Sequence, residues 1–311
     1  MKCLSIHLTD LCNSECTFCV VGSPLYTTDS VRYDEVLSFL EDHQHEGYGA
    51  VNLHGGEPTI HPHFVEVLDY IRELGYSEVH LQTNGIRLAR ERFVKTLVER
   101  NVTKFIVSLH GDEAEYHDSQ TFSPGGFAKT IEGIRNAKDH GAHVRTNTVI
   151  TRQNLDRLTA ISELACDLGV HHINFSNLHP VGSARFSRAR IMPDLAAIRR
   201  HLYPAVDHAI ACGRTVTLEG FPYCSIDGGR EQLHLTNEYR HIKLLVRGQV
   251  LESYDNFMRD KMSVFGAPCS DCSVRSICGG VYPEYIDYFG WEEFSADAVP
   301  LNLVEGLVPL S

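Results

Sequence analysis

The sequence predicts an α/β fold built on a parallel sheet, and two observations carry that prediction. Short apolar, strand-like runs alternate with amphipathic, helix-like stretches through the first two thirds of the chain. Several of the helix-like stretches end in Gly or Asn just ahead of the next run, at Gly75, Asn101, Gly141 and Gly169. The strand-like runs lie at 2–8, 50–54, 78–82, 104–109, 143–150 and 172–176. The helix-like segments fall at 33–46, 62–74, 88–100, 127–140 and 154–168, with another at 194–211. Six β-α units of this kind pair in parallel through crossover helices. An open partial barrel and a doubly wound sheet both satisfy the pattern.

From Gly213 onward the pattern changes. A strand-like run at 215–219 leads into Phe221-Pro222-Tyr223-Cys224, then a polar stretch containing Asp227-Gly228-Gly229, then more cysteines and an aromatic-rich tail. We therefore expect a core over 1–212 and a smaller, loop-rich unit over 213–311, in which a metal centre supplies the missing core.

Composition narrows the function. The 311 residues are 43% hydrophobic and 22% charged, as in a globular chain. A net charge of −12 argues against a nucleic-acid groove, and the one basic run, Arg185 to Arg190, is short. No apolar run reaches the roughly 18 residues of a membrane span. The first eight residues already read as a strand and not as a signal peptide, so a cytoplasmic location is expected, with no room for a preceding leader-binding domain.

Ten cysteines in a chain of this kind point to metal rather than to disulfides. Cys12, Cys16 and Cys19 form a C-x3-C-x2-C loop after the first strand. Three thiolates can hold three corners of an iron–sulfur cubane and leave one iron open; a structural zinc loop is the alternative. His54-Gly55-Gly56-Glu57-Pro58 closes the second strand. Paired glycines there allow close approach to the backbone, and Glu57 offers a carboxylate to an ammonium group. An ordinary strand-to-helix turn reads the same way.

These motifs together resemble the radical S-adenosylmethionine (SAM) superfamily, over roughly residues 2–220. The remaining motifs fall in order: Thr83-Asn84-Gly85 after the third strand, Ser108-Leu109-His110-Gly111 at the end of the fourth, Asn147 on the fifth, and His179-Pro180-Val181-Gly182 after the sixth. Most lie at or beyond the carboxyl ends of strands, where parallel α/β folds place ligands. The resemblance implies a partial (β/α)6 TIM-like barrel with a small C-terminal auxiliary-cluster domain. It also implies SAM chelated by the open iron of a [4Fe-4S] cluster. One-electron cleavage then gives methionine and a 5′-deoxyadenosyl radical that takes hydrogen from substrate. Carried over, Gly55, Gly56 and Glu57 hold the methionyl amine, Ser108 and Asn147 contact ribose or carboxylate, and Phe18 packs by adenine. His110 is the candidate acid–base group, against a purely structural strand-end role. A flavodoxin- or ferredoxin-type protein is the implied electron donor.

Cys224 with Cys269-x2-Cys272-x5-Cys278 forms a second set, open on spacing alone to a four-cysteine zinc. The tail resembles the shortened auxiliary-cluster ("twitch") module of sugar and aminocyclitol dehydrogenases and some epimerases, present in a related form in molybdenum-cofactor cyclase, which implies a second [4Fe-4S] cluster suited to electron transfer. It departs from the molybdenum-cofactor cyclase pattern in having four candidate ligands and in ending Leu307-Val308-Pro309-Leu310-Ser311 with no Gly-Gly tail. Of the remaining cysteines, Cys3 and Cys166 are expected in the core and Cys212 on the face opposite the site. None is placed to donate hydrogen, which counts against an epimerase. The expected substrate is a small sugar, aminocyclitol or nucleoside-like molecule, with a peptide as the alternative. Tyr282, Tyr285, Tyr288, Phe289 and Trp291 are expected to cover the second centre.

Overall fold

The structure, a computed structural model, describes residues 2–22, 30–226 and 241–296. The Asp227-Gly228-Gly229 stretch and the 307–311 terminus lie outside the described residues. Strand β1 (Cys3–Thr9) leads to helix α1 (Tyr33–Asp42), β2 (Ala50–Gly55) to α2 (Phe64–Glu73), and β3 (Glu78–Thr83) to α3 (Glu91–Val98). After β4 (Val102–Ser108) come α4 (Ala114–Thr121) and α5 (Gly126–Asp139); after β5 (His143–Val149) comes α6 (Leu158–Asp167). Strand β6 (His172–Ser176) is followed by α7 (Ala184–Ile191) and α8 (Leu195–Ala211), then β7 (Thr215–Glu219). The remainder holds β8 (Ile242–Val246), β9 (Gln249–Leu251), α9 (Tyr254–Lys261) and α10 (Pro283–Phe289). Gly75, Asn101, Gly141 and Gly169 all sit at positive φ, as helix terminators do.

The strand order resolves the choice between barrel and doubly wound sheet. It runs β7-β6-β5-β4-β3-β2-β1-β8-β9, so β1 to β7 pair in sequence order, each parallel to the next. A doubly wound sheet reverses order at a switch point. Without a reversal, right-handed crossovers put every helix on one side, and the twisted sheet curls with its helices outside. This is the expected partial barrel. It is extended past β6 by β7 and past β1 by β8, with β9 antiparallel at the rim. The sheet thus draws strands from both sides of residue 213.

Side-chain alternation divides the sheet chemically. Leu4, Ile6, Leu53, Leu81, Phe105, Val107, Ile173 and Phe175 are fully buried under the helices. Each contributes about 1.5–3 kcal/mol by leaving water. The opposite face is polar and lines the concave interior. There Asn52 donates to Ser5 at 3.0 Å, and Asn174 donates to Asn147 at 2.6 Å and to Glu219 at 3.2 Å.

Helices α4 and α7 were outside the sequence expectation. The buried residues of α4 are His117, Gln120 and Thr121, so its inward face carries no apolar period to detect. Among the described residues, no helix is long and apolar enough to cross a membrane.

Candidate active site and cysteine centres

The Cys12–Cys19 loop leaves the carboxyl end of β1 and is held by the loops around it. From the β2 turn, Gly56 N–H donates to the Thr9 carbonyl at 2.7 Å and Glu57 N–H to the Leu11 carbonyl at 2.8 Å. A Cβ on Gly56 would lie 2.2 Å from the Leu11 oxygen, and one on Gly55, at φ +139°, 2.4 Å from the Thr9 oxygen. The paired glycines are therefore required by backbone meeting backbone, before any ligand is considered. From the β3 turn, Asn84 Nδ2 donates to Asn13 Oδ1 at 2.7 Å and to Ser14 Oγ at 3.3 Å, and lies 4.0 Å from Cys12 Sγ. Its Oδ1 accepts Ile86 N–H at 3.1 Å, which supports the turn.

The end of α4 supplies two carbonyl acceptors, Thr121 to Glu15 N–H at 2.9 Å and Gln120 to Thr17 N–H at 3.0 Å. From the β6 loop, Ser183 N–H donates to the Cys19 carbonyl at 2.8 Å; a Cβ on Gly182 would lie 2.4 Å from that oxygen. Arg247, in the β8–β9 turn, donates to Asp10 at 2.9 Å.

Glu57 is fully buried and fully used. Its Oε1 accepts from Thr59 N–H at 3.1 Å, Thr59 Oγ1 at 2.6 Å and Thr83 Oγ1 at 2.9 Å; its Oε2 accepts from Thr83 Oγ1 at 3.0 Å and Asn84 N–H at 2.8 Å. The carboxylate expected to help hold the methionyl amine here ties the β2 turn to the β3 turn. Burial pushes its pKa up, and these donors oppose that shift. Glu57→Gln places an amide N–H2 against donors, so it should cost about 1–3 kcal/mol of stability, read as a lowered guanidinium midpoint. An unchanged midpoint would remove the bracing role.

His110 is likewise enclosed. Only 2% of it is exposed, its ring lies 4.4 Å from that of Phe18, and its Nδ1 accepts Val149 N–H at 3.3 Å. Burial, then neighbouring His117, holds its pKa well below 6.5. These contacts favour the structural strand-end role for it over the acid–base one. Burial also pushes His117 down, to about 4. Unfolding exposes both rings to protonation, so the unfolded state binds more protons between about pH 6.5 and pH 4. Stability should rise with pH across that window. Guanidinium unfolding at several pH values checks this, and a flat midpoint contradicts it.

Phe18 is buried against His110, while Ser108 and Asn147 are half-buried and lie opposite one another on β4 and β5 in the polar interior. Asn147 Oδ1 accepts from Asn174 at 2.6 Å and Ser176 at 2.8 Å. Asn174, Ser176 and Glu219 had no sequence signal beyond strand alternation.

In the C-terminal segment, Cys224, Cys269, Cys272 and Cys278 line one small cavity, walled by Phe265, Val274 and Val281. Cys224 sits in a short turn after β7, and the 269–278 loop is closed at its base by a Val264–Val281 bridge. Gly280 N–H lies 3.4 Å from Cys278 Sγ; the Tyr223 and Ser295 backbones also donate to Cys278 and Cys224. Burial, then the charge of Cys278, pushes the Cys224 thiol up to about 12.

A family model described as the radical SAM superfamily matches residues 6–165, just over half of the chain. The chain belongs to the radical SAM superfamily. Among curated proteins it is similar to a protein named "Probable GTP 3',8-cyclase" from Saccharolobus islandicus, 32% identical over 185 residues. That match covers 59% of each chain, so this radical SAM protein spans about three fifths of the relative's length. Among solved structures it is similar to Streptococcus suis SuiB bound to S-adenosylmethionine (TM-score 0.68, 16% identity, 96% of this chain and 77% of that one). SuiB bound to the precursor peptide SuiA gives a TM-score of 0.64 at 17% identity, covering 85% and 62%.

Radical SAM membership implies a [4Fe-4S] cluster, and the residues fit one. Burial pushes the Cys12 thiol up to about 12 and Cys16 well above the ordinary range, each raised further by Cys19. Thiolates there need a compensating cation. Backbone groups of Asn13 and Ser14 donate to Cys12, the outer hydrogen bonds a thiolate ligand takes. Among the described residues, neither cysteine set brings three sulfurs within 4.8 Å of one another.

Cys3 faces inward with Ala50 and Ile242, as expected. Cys166 only partly joins the core, because its sulfur meets Cys212 and His208. The aromatic tail reaches beyond the second cysteine set. His179 stacks on Tyr282 at 3.9 Å, and Tyr285 Oη accepts Leu195 N–H at 2.9 Å at the start of α8.

Proposed function

We propose that this radical SAM enzyme oxidises a small polar molecule of the sugar, aminocyclitol or nucleoside class, with a second [4Fe-4S] cluster as electron acceptor. The convergence of Cys224, Cys269, Cys272 and Cys278 on one cavity carries this reading. Four ligands leave no iron open to substrate, which favours electron transfer over chelation. When bound, SAM and the first cluster supply a hydrogen-abstracting 5′-deoxyadenosyl radical.

The chain's own residues bind and orient. Ser108 and Asn147 offer hydrogen bonds at the mouth of the polar interior, and Phe18 gives an aromatic surface between Cys16 and Cys19. Arg145 and Glu219, paired at 3.4 Å, offer both charges to a polyhydroxylated or amino substrate. A flavodoxin- or ferredoxin-type donor fits the exposed Arg185 and Arg190 of α7, next to the loop hydrogen-bonded to Cys19. Nucleotide cyclisation, the activity in the relatives' name, is the second reading, favoured by their 32% identity. The closed cysteine set stands against it.

Turnover in deuterated water tests the reaction type. Substrate loses one hydrogen atom to the radical, then one electron and one proton, so an oxidised product should form with no solvent deuterium at the reacting carbon. Deuterium on a retained, inverted carbon would establish epimerisation instead.

A further inference from the structure

The end of the barrel opposite the cysteine loop carries a donor set that the reaction does not use. Cys166 is near the end of α6, and Cys212 caps the end of α8, one turn beyond His208. The two helices pack side by side, with Ser162 Oγ donating to the Ala205 carbonyl at 2.8 Å. Their ligand atoms converge. Cys212 Sγ lies 3.4 Å from His208 Nε2, and all three donor atoms fall within 4.8 Å of one another.

We propose that Cys166, His208 and Cys212 form a zinc site that braces the ends of α6 and α8, with its fourth position open to water. In a tetrahedral site with Zn–S near 2.3 Å and Zn–N near 2.05 Å, the sulfur–nitrogen edge is about 3.6 Å. The 3.4 Å separation already matches that edge without rearrangement. Two thiolates and an imidazole select a borderline-soft ion over magnesium or calcium.

The two helix ends favour a cation. Both thiols stand at helix C-termini, where the macrodipole is negative. Burial, then Cys212, pushes the Cys166 thiol up. Arg214 opposes that rise, with Nη2 3.4 Å from the Cys166 carbonyl. Cys212 is exposed, which gives an ion its entry.

The test uses anaerobic holoenzyme with full iron and sulfide content, equilibrated with one equivalent of Zn²⁺ and desalted. Elemental analysis should find one zinc per chain in the wild type and none in Cys212→Ser or His208→Ala, with iron and sulfide unchanged in both variants. Co²⁺ used in place of zinc should give a thiolate-to-metal charge-transfer band that both variants lose. Zinc retained in both variants, no zinc in the wild type, or a Cys166–Cys212 disulfide in the anaerobic protein would each overturn the assignment.

Discussion

Replacing Cys12, Cys16 and Cys19 together by alanine is expected to reduce SAM cleavage to the level of a cluster-free control. The loop that carries them is fixed by contacts that do not involve the sulfurs: the Gly56 and Glu57 amides, Asn84, the Gln120 and Thr121 carbonyls, and Ser183. The backbone should therefore stay in place while the three thiolates are lost. Methionine and 5′-deoxyadenosine formation under dithionite would disappear, and iron would fall by one cubane's content. Full cleavage in a folded triple variant would refute the assignment of the loop as the SAM site.

The second large effect is its mirror image. Changing Cys224, Cys269, Cys272 and Cys278 to alanine should remove about half of the iron, if both centres are cubanes. It should spare SAM cleavage, because the first loop keeps all of its ligands. Product formation should stop, because the electron left on substrate then has no acceptor. The variant needs a folding check, since the Phe265, Val274 and Val281 walls lose what they enclose. A circular dichroism spectrum of wild-type shape, combined with retained cleavage, supplies it. Zinc in place of iron at this position in the wild type, or product formed by the variant, would end the electron-acceptor reading.

Much of this molecule was legible in its sequence because its strands carry the pattern themselves. β6 and β7 fall at 172–176 and 215–219 as expected, since Ile173, Phe175, Val216 and Leu218 alternate with polar residues. Helix α4 was not legible, because its buried face is polar and its partners, the cysteine-loop amides, are distant in sequence. Glu57 shows a subtler limit. Its place in the motif was plain, yet whether its carboxylate faced a ligand or the β3 turn depended on Thr83 and Asn84, 26 and 27 residues away. The setting of His110 was hidden for the same reason: Val149 is 39 residues on. The meeting of Cys166 with His208 and Cys212 depends on the packing of α6 against α8, which helical period alone does not set.

The pairing of β1 with β8 sets an order of assembly. Cys3 lies opposite Ile242 and His7 opposite Val246, so this ladder joins residues about as far apart as the sheet allows. On the ribosome, β1 can pair with β2 early, but its other edge stays bare until the hairpin of β8 and β9 has emerged. Such non-local pairing is slow, and a bare edge invites wrong partners. Lys243 gives the late strand a marker of register, since its ammonium reaches Glu46 and Glu252, each at 3.0 Å. The same hairpin brings Arg247 to Asp10, two residues before Cys12. The first cysteine loop therefore gains this brace only after the hairpin has formed.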